Sequence, residues 1–467
     1  MSAGRTDQKQ RQRNRFAKAS PAFVEGDHQP GLEARQAATR LLSAVIDART
    51  PLDALTDGEH GHPQYLALDG RDRALVRAIL VSALRFRRTI EKIIASRLER
   101  PLPGNARSLS ALLHVAAAQI LFLDVPNSAA VNIAVAQAKA DPRSARFSGL
   151  VNGVLRNIVR QKSEALAQTL ESTQEAPDWM VERLLAAYGA DESQRILQAH
   201  RREPSVDFSV KSQPSLWAEK LGGYVLPNGS VRVDDLAMSV PELPGFDDGE
   251  WWVQDAAASL PARLLGDVAG LEVADLCAAP GGKTAGLAMS GAKVTAVDQS
   301  GNRLKRLKGN LARLGLSADV VEADILKWQP GKTFDAVLLD APCSSTGTVR
   351  RHPDVVWTKT PDDIAKLAGL QRRLLERSFE LVKPGGVVVF ANCSLDPQEG
   401  EDLVRDLLKD RPDIQLEPIQ PHELPGAEHF IAAEGWLRTT PALYEGHPER
   451  LSGVDGFFAA RFRQVPR

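Results

Sequence analysis

Three cysteines in 467 residues are too few, and odd in number, for a disulfide framework, and they point to a reducing compartment. No Cys/His cluster has zinc-ligand spacing, so no metal is expected. No apolar run reaches the roughly 18 residues a membrane span needs, and the N-terminus lacks a signal-peptide apolar region. No membrane partner and a cytoplasmic location are therefore expected. The dinucleotide fingerprint Gly-x-Gly-x-x-Gly is absent, and so is a full Walker A loop: Gly282-Lys283-Thr284 fits its end, but Cys277 stands where its first glycine is needed. What is plentiful is ordinary core material, 43% apolar and 25% charged residues, and this length implies several domains.

Charge is unevenly spread. The net charge is −1, yet residues 31–165 carry 19 Lys+Arg against 12 Asp+Glu, while residues 166–467 are net −11. A basic third beside an acidic remainder is expected where one part holds nucleic acid. An incidentally basic helical domain is the alternative that charge alone leaves open.

Four regions follow from the chain in order. Residues 1–30 read as a disordered basic arm (Arg5, Lys9, Arg11, Arg13, Arg15, Lys18). Residues 31–165 read as all helix, with apolar residues at helical spacing and a nearly all-apolar central segment from Leu112 to Leu123. Pro126-Asn127-Ser128 is expected to cap the next helix. Arg71, Arg73, Arg85, Arg87 and Arg88 fall between apolar positions, which predicts one basic surface, for phosphates or for solvent. Residues 166–250 read as a small α+β insert: a helix from Pro177, a second from Asp191 to His200, and a strand through Val206, Phe208 and Val210.

Residues 251–467 alternate strand and helix, a doubly wound Rossmann-like sheet. Trp251-Trp252-Val253 leads into a helix at Ala256–Leu265. Strands are expected at Leu271–Leu276, Lys293–Asp298, Ala318–Val321, Ala336–Asp340 and Val387–Phe390, with a turn at Lys383–Gly386 and antiparallel edge strands at Trp436–Thr439 and Phe457–Phe462. The organising stretch is L-E-V-A-D-L-C-A-A-P-G-G-K-T, Leu271 to Thr284. A strand, a glycine turn and a helix start there present free backbone N–H groups to a ligand. Asp298 ends the next strand, where such folds bind ribose hydroxyls, so an adenosine-type ligand is expected.

All three cysteines, Cys277, Cys343 and Cys393, fall at strand ends, as do Asp298, Asp324 and Asp340. Ligands bind there in such sheets. Asp396-Pro397-Gln398-Glu399 reads as a helix start with a capping box, which would favour thiolate at Cys393. Arg350, Arg351 and His352 form a short basic cluster, read as a phosphate contact. A thiolate, a carboxylate and an adenosine-type ligand point to one reaction. A thiolate adding to carbon 6 of a pyrimidine would activate carbon 5, Asp340 could hydrogen-bond the base, and S-adenosyl-L-methionine would be the methyl donor. The target base would have to leave its stack.

D-L-C-A-A-P-G-G-K-T, D-A-P-C-S-S-T-G-T-V-R-R-H-P-D-V-V-W and N-C-S-L-D-P-Q-E-G-E together resemble the RNA cytosine-5 methyltransferases of the RsmB/Sun group. A-R-Q-A-A at 34–38 and G-L-V-N-G-V-L-R-N-I at 149–158 resemble the NusB-type helical RNA-binding domain. The resemblance implies Cys393 as nucleophile, Cys343 as the residue that helps release product, and 16S ribosomal RNA as substrate. It implies cofactor contacts at Cys277, Ala278, Ala279, Pro280, Gly281, Gly282 and Lys283, and at Asp298, Asp324 and Asp340. A monomer is expected.

Two departures stand out. Asn392 precedes the nucleophile where relatives carry threonine, and Phe208-Ser209-Val210-Lys211 replaces an L-R-V-N strand of the middle region. A non-catalytic RNA-binding factor with a relic fold is the rival reading, against which Cys343, Cys393 and Asp340 speak. A P-loop nucleoside triphosphatase is a second, against which Cys277 speaks.

Overall fold

A computed structural model of the protein describes residues 30–236, 238–443 and 452–464. The basic arm expected at residues 1–30 lies outside the described residues except for its last position.

The first region is helical: α1 (Leu32–Ala48), α2 (Gly70–Arg85), α3 (Arg87–Ala95), α4 (Arg107–Phe122), α5 (Asn127–Ala140), α6 (Ser148–Arg160) and α7 (Lys162–Glu171). Helix α4 is apolar on every face because it is the centre, packed by α1, α2, α3, α5 and α6. Its one buried amide, Gln119, accepts from Arg35 at 2.9 Å and donates to the Val115 carbonyl at 2.9 Å. A buried amide left unpaired costs about 1–3 kcal/mol, which explains a buried arginine at this place. The expected cap before α5 is not formed: the helix starts at Asn127 itself, with Pro126 ahead of it and no side-chain cap.

The expected basic surface is also not formed as read. Arg85 is buried and donates to the Arg350 carbonyl at 2.8 Å. Arg73 donates to the Tyr65 and Leu66 carbonyls. Arg87 lies 5.1 Å over the Trp357 ring, and Arg88 pairs with Asp178 at 2.9 Å. Arg71 stays exposed; the other four cations serve internal contacts, two of them against residues 350–357. There Trp357 donates to the Leu84 carbonyl at 3.0 Å, and Asp354 accepts from the Leu52 N–H at 2.9 Å.

Helix α8 (Asp178–Ala199) is broken at Gly189, whose φ of 73° no helix allows, giving the two helical runs read from the sequence. A four-stranded antiparallel sheet follows: β1 (Val206–Val210), β2 (Tyr224–Val225), β3 (Val231–Val233) and β4 (Trp251–Val253), in the order β2-β3-β1-β4, with α9 (Pro214–Leu221) against it. Trp251–Val253, expected as a lead-in to the next helix, is therefore an edge strand of this sheet. Phe208 and Trp251 meet edge to face at 4.8 Å in its core. Beneath them Asp207 and Arg232 form a two-bond ion pair at 2.6 and 2.7 Å, both at most 1% exposed. Removing one partner of such a pair costs about 3–5 kcal/mol.

The remainder is α10 (Ala256–Arg263), β5 (Glu272–Leu276), α11 (Gly282–Met289), β6 (Lys293–Asp298), α12 (Gly301–Arg313), β7 (Asp319–Glu322), β8 (Phe334–Asp340), α13 (Pro361–Leu381), β9 (Val382–Asn392), α14 (Glu401–Asp410), β10 (Ile414–Leu416), β11 (Leu437–Thr439) and β12 (Phe457–Gln464). The strand order is β10-β12-β9-β8-β5-β6-β7, with β11 on β12. Strands β7, β6, β5, β8 and β9 are parallel, and β12 runs against β9. Near-continuous apolar runs in β5 and β8 are buried on both faces, as parallel strands under two helix layers must be. Two expectations are corrected. Strand β12 is not an edge, since β10 and β9 flank it. Lys383–Gly386, expected as a turn, is carried inside β9 as a bulge between the pairs Phe334↔Val382 and Ala336↔Val387. The switch point, where the chain leaves β5 for β6 while β8 lies on the other side, opens a crevice at the carboxyl ends of these strands.

Candidate active site

The crevice is built from β5 outward. After Leu276 the backbone enters left-handed conformation at Cys277 (φ 61°), and again at Gly281 (φ 105°) before α11 starts. A non-glycine residue held there stores about 1–3 kcal/mol of strain, sustained when its surroundings over-determine it. Two carboxylates provide that. Asp275 accepts from the Thr284 hydroxyl at 2.6 Å, both groups fully buried. Asp298 accepts from the Ala279 N–H at 3.3 Å and the Ser300 N–H at 2.9 Å, and pairs with Arg303 at 3.2 Å. Arg303 closes the ring by donating to the Ala279 carbonyl. The loop is thus fixed on both sides, and the first-turn N–H groups of α11 have no partners within the helix.

Across the crevice, Lys283 Nζ donates to Asp340 Oδ2 at 2.7 Å and lies 5.0 Å over the Phe457 ring. Cys393, just past β9, has its Sγ 3.4 Å from that of Cys343. Either thiol can donate across this contact; the hydrogen bond between them lowers the Cys393 pKa and raises that of Cys343, while Ser345 and Lys283 help the Cys393 thiolate, and burial and Asp340 oppose it. Backbone bonds hold the two cysteine turns together: Gly347 N–H donates to the Cys393 carbonyl at 2.9 Å, and Gly456 N–H to the Gly347 carbonyl at 2.8 Å.

One cavity of about 490 Å³ is lined by Ala278, Ala279, Pro280, Gly281, Gly282 and Lys283, and by Asp340 and Cys393. That volume suits a small-molecule site, which typically spans about 300–1,000 Å³. Cys277 and Asp298 stand behind the lining, where they hold the loop. Cys343 adjoins the cavity through Cys393. Asp324 lies two residues past β7, exposed, accepting from Leu326 N–H at 3.1 Å and pairing with Lys327 at 3.3 Å. The structure does not bring it to the cavity lining.

Two local readings are overturned. The capping box after Cys393 is not formed. Asp396 does cap, accepting from the Gln398 N–H at 3.0 Å, but the turn it caps is a three-residue 3₁₀ helix, Pro397–Glu399. Glu399 points inward instead. Thiolate at Cys393 is favoured by its neighbouring thiol rather than by a helix start. The basic cluster is paired with acids rather than left open to phosphates, although Arg351 does line the cavity. Arg350 is 3% exposed and faces Asp455 at 3.3 Å, Arg351 pairs with Asp255 at 2.6 Å and Asp455 at 3.1 Å, and His352 pairs with Asp53 at 3.2 Å. The two aspartates that bind both arginines lie about a hundred residues away on either side, so nothing local announced them.

Both departures have structural roles. Asn392 is fully buried; its amide donates to the Glu399 carbonyl at 2.7 Å while its oxygen accepts from the Ser394 N–H at 2.9 Å, shaping the turn that carries Cys393. Lys211 donates to the Leu314 carbonyl at the end of α12, tying β1 to the crevice wall. Ser209 donates to Gln254 at 2.9 Å. Sequence reasoning missed several lining residues, among them Trp252, Gln254, Asp255, Asp455 and Phe457. They come from β4 and β12 and from the residues next to them, which carry no motif.

A mixed sheet of this order, with a glycine loop at its switch point and an acidic second strand end, defines a methyltransferase whose methyl donor is S-adenosylmethionine. Comparison with known proteins narrows this. Residues 263–463 match the family model described as 16S rRNA methyltransferase RsmB/F, and residues 32–160 match the NusB family. Ribosomal RNA small subunit methyltransferase B of Vibrio cholerae is 38% identical over 380 residues, covering 77% of this chain and 87% of that protein. The protein of the same name from Sodalis glossinidius is 35% identical over 410 residues, covering 84% and 93%. The crystal structure of PH0851 shares the fold, with a TM-score of 0.69 at 24% identity over 94% of this chain and all of that one. The chain belongs to the RsmB/F family of rRNA methyltransferases, with a NusB domain at its N-terminus.

Proposed function

We propose that the protein methylates carbon 5 of a cytosine in 16S rRNA through a covalent bond from Cys393. The carrying observation is that the Cys393 thiol, Asp340 and the 278–283 loop line one cavity, with a second thiol 3.4 Å behind the first. The cavity volume, the glycine loop and the first-turn N–H groups of α11 suit S-adenosylmethionine, with Ala278–Lys283 as its contacts and Asp298 behind them. When bound, that group supplies an electrophilic methyl.

The protein's own residues account for the rest. Carbon 5 of cytosine is a weak nucleophile. Attack of the Cys393 thiolate on carbon 6 forms an S–C bond and moves the ring's electron pair to carbon 5. Asp340, held by Lys283, accepts from the exocyclic amino group and steadies the ring. After methylation a general base takes the carbon 5 proton, the freed electron pair restores the C5–C6 double bond, and the C6–S bond breaks with its pair returning to the Cys393 sulfur. Cys343, hydrogen-bonded to that sulfur, supports the release. The cytosine must be unstacked to enter. The exposed lysines of α12, Lys305 and Lys308, lie on a helix with five cations and no acid, and its Asn310 and Arg313 line the cavity, so we assign that face to RNA phosphates. A cytoplasmic monomer accords with this reading.

Incubation with S-adenosylmethionine and a 16S rRNA transcript, followed by bisulfite sequencing, tests it. A new protected cytosine is expected. Methyl incorporation without any protected cytosine would overturn it.

A further inference from the structure

A buried carboxylate outside the cavity joins the two cysteine turns. Glu399 is fully buried. Its Oε1 accepts from the Ser344 N–H at 2.9 Å and from Gln371 Nε2 at 2.8 Å. Its Oε2 accepts from the Ser394 hydroxyl at 2.6 Å and from the Ser344 hydroxyl. Ser344 follows Cys343, and Ser394 follows Cys393. One side chain therefore grips the residue next to each thiol.

The bonding pattern favours a carboxylate. Two of the four partners, an N–H and an amide NH₂, can only donate. The Ser344 and Ser394 hydroxyls lie 3.1 Å from each other and 3.4 and 3.2 Å from the Thr346 hydroxyl, so each has a second place for its proton. Burial raises the Glu399 pKa, and the donors from Ser344 and Ser394 hold it down. Arg183, the nearby cation, is committed to Asp396 and Gln398.

We propose that Glu399 is a positioning residue that clamps the two cysteine turns in register and, as a buried anion on the Cys343 side, leaves the shared proton of the thiol pair on Cys343 and the thiolate on Cys393. The groups facing the pair are then unequal. Lys283 favours an anion at Cys393 and Asp340 opposes it; Glu399 opposes an anion at Cys343; Ser345 favours an anion at both, by its side chain at Cys393 and its backbone at Cys343. Asp396, paired with Arg183, raises the Glu399 pKa in turn, against the donors that hold it down. What the thiolate is for rests on the cytosine-adduct reading; the asymmetry of the thiols does not.

The test is pulse alkylation of the full-length protein with iodoacetamide over a pH series, with Cys343 and Cys393 quantified separately by peptide mass spectrometry. In wild type, Cys393 reacts at lower pH. Glu399→Gln keeps the shape and removes the charge, so the Cys343 midpoint is expected to fall by about one unit, as when a like charge is removed. The Cys393:Cys343 rate ratio at neutral pH then falls about tenfold. Ser394→Ala, which keeps the carboxylate, must leave the order of reactivity unchanged and serves if Glu399→Gln does not fold. Superimposable profiles for wild type and Glu399→Gln, or a reversed order in Ser394→Ala, overturn the proposal. An intact thiol order without any methyl transfer would sink the cytosine reading and leave the clamp standing.

Discussion

Lys283 Nζ sits 2.7 Å from Asp340 Oδ2, joining the first residues of α11 to the end of β8 across the mouth of the crevice. The pair does two things. It aims the Asp340 carboxylate, and it places an ammonium near Cys393, where it favours the thiolate. Lys283→Met should therefore move the Cys393 alkylation midpoint to higher pH and lower kcat by about 100-fold, the usual loss for one preorganised charge. Arginine at 283 should recover the midpoint better than the rate, since its planar fork cannot repeat the single short contact. An unchanged midpoint in Lys283→Met would remove the lysine from any part in thiol activation.

The two cysteines should separate cleanly in single variants. Cys393→Ala is expected to abolish methyl transfer, a loss of at least about 1,000-fold as for a missing nucleophile. Cys343→Ala should instead leave a protein–RNA adduct that survives denaturing electrophoresis, because the S–C bond forms but is released slowly. An adduct from the Cys393→Ala protein would reverse the assignment.

Much of this was legible in the chain because the determinants are local. The strand, glycine turn and helix start at 272–289 follow from apolar runs and glycines within a few residues of one another, and so do the strand ends that carry Asp298, Asp340 and Cys393. The basic patches misread because a charge's partner is set by the fold. Arg350 and Arg351 look like a phosphate clamp until Asp255 and Asp455 arrive from either side. Glu399 shows the same limit in reverse. Its spacing after Asp396 fits a capping box, yet Ser344 and Gln371, brought in by β8 and α13, offer a buried carboxylate more donors than a helix end can. Trp251–Val253 misread because three residues give no period to count, and β1, which they pair with, lies more than forty residues earlier.

Asp275 makes stability depend on pH. Burial pushes its carboxyl up to about 7, with Thr284 donating to one oxygen and the other unpartnered. The unfolded chain gives up this proton near the ordinary value of about 3.9, whereas the folded protein keeps it longer. The contribution is therefore fully present below about pH 4 and lost as pH rises through about 7. Three units correspond to about 4 kcal/mol. Asp275→Asn should flatten the fall in urea midpoint over that window and be the more stable protein on its alkaline side. Parallel curves for the two proteins would show that Asp275 ionises normally.

The exposed face of α12 gives the RNA path a direct check. Arg303 and Arg313 are engaged with the loop and with the Phe246 and Trp251 carbonyls, and Arg306 pairs with Asp57 of the helical domain. Lys305 and Lys308 are left exposed to the solvent between them. Reversing both, as Lys305→Glu with Lys308→Glu, should lower affinity for an rRNA fragment. It should also flatten the dependence of log K on log salt by about 1.4, two contacts at about 0.7 each for single-stranded RNA. Neither lysine lines the cavity, so S-adenosylmethionine affinity and the melting temperature should stay at wild-type values. A salt slope equal to that of wild type would mean that RNA enters the crevice from another side, past β4 or the helical domain, and that the cations of α12 serve only to hold the loop and the domain contact.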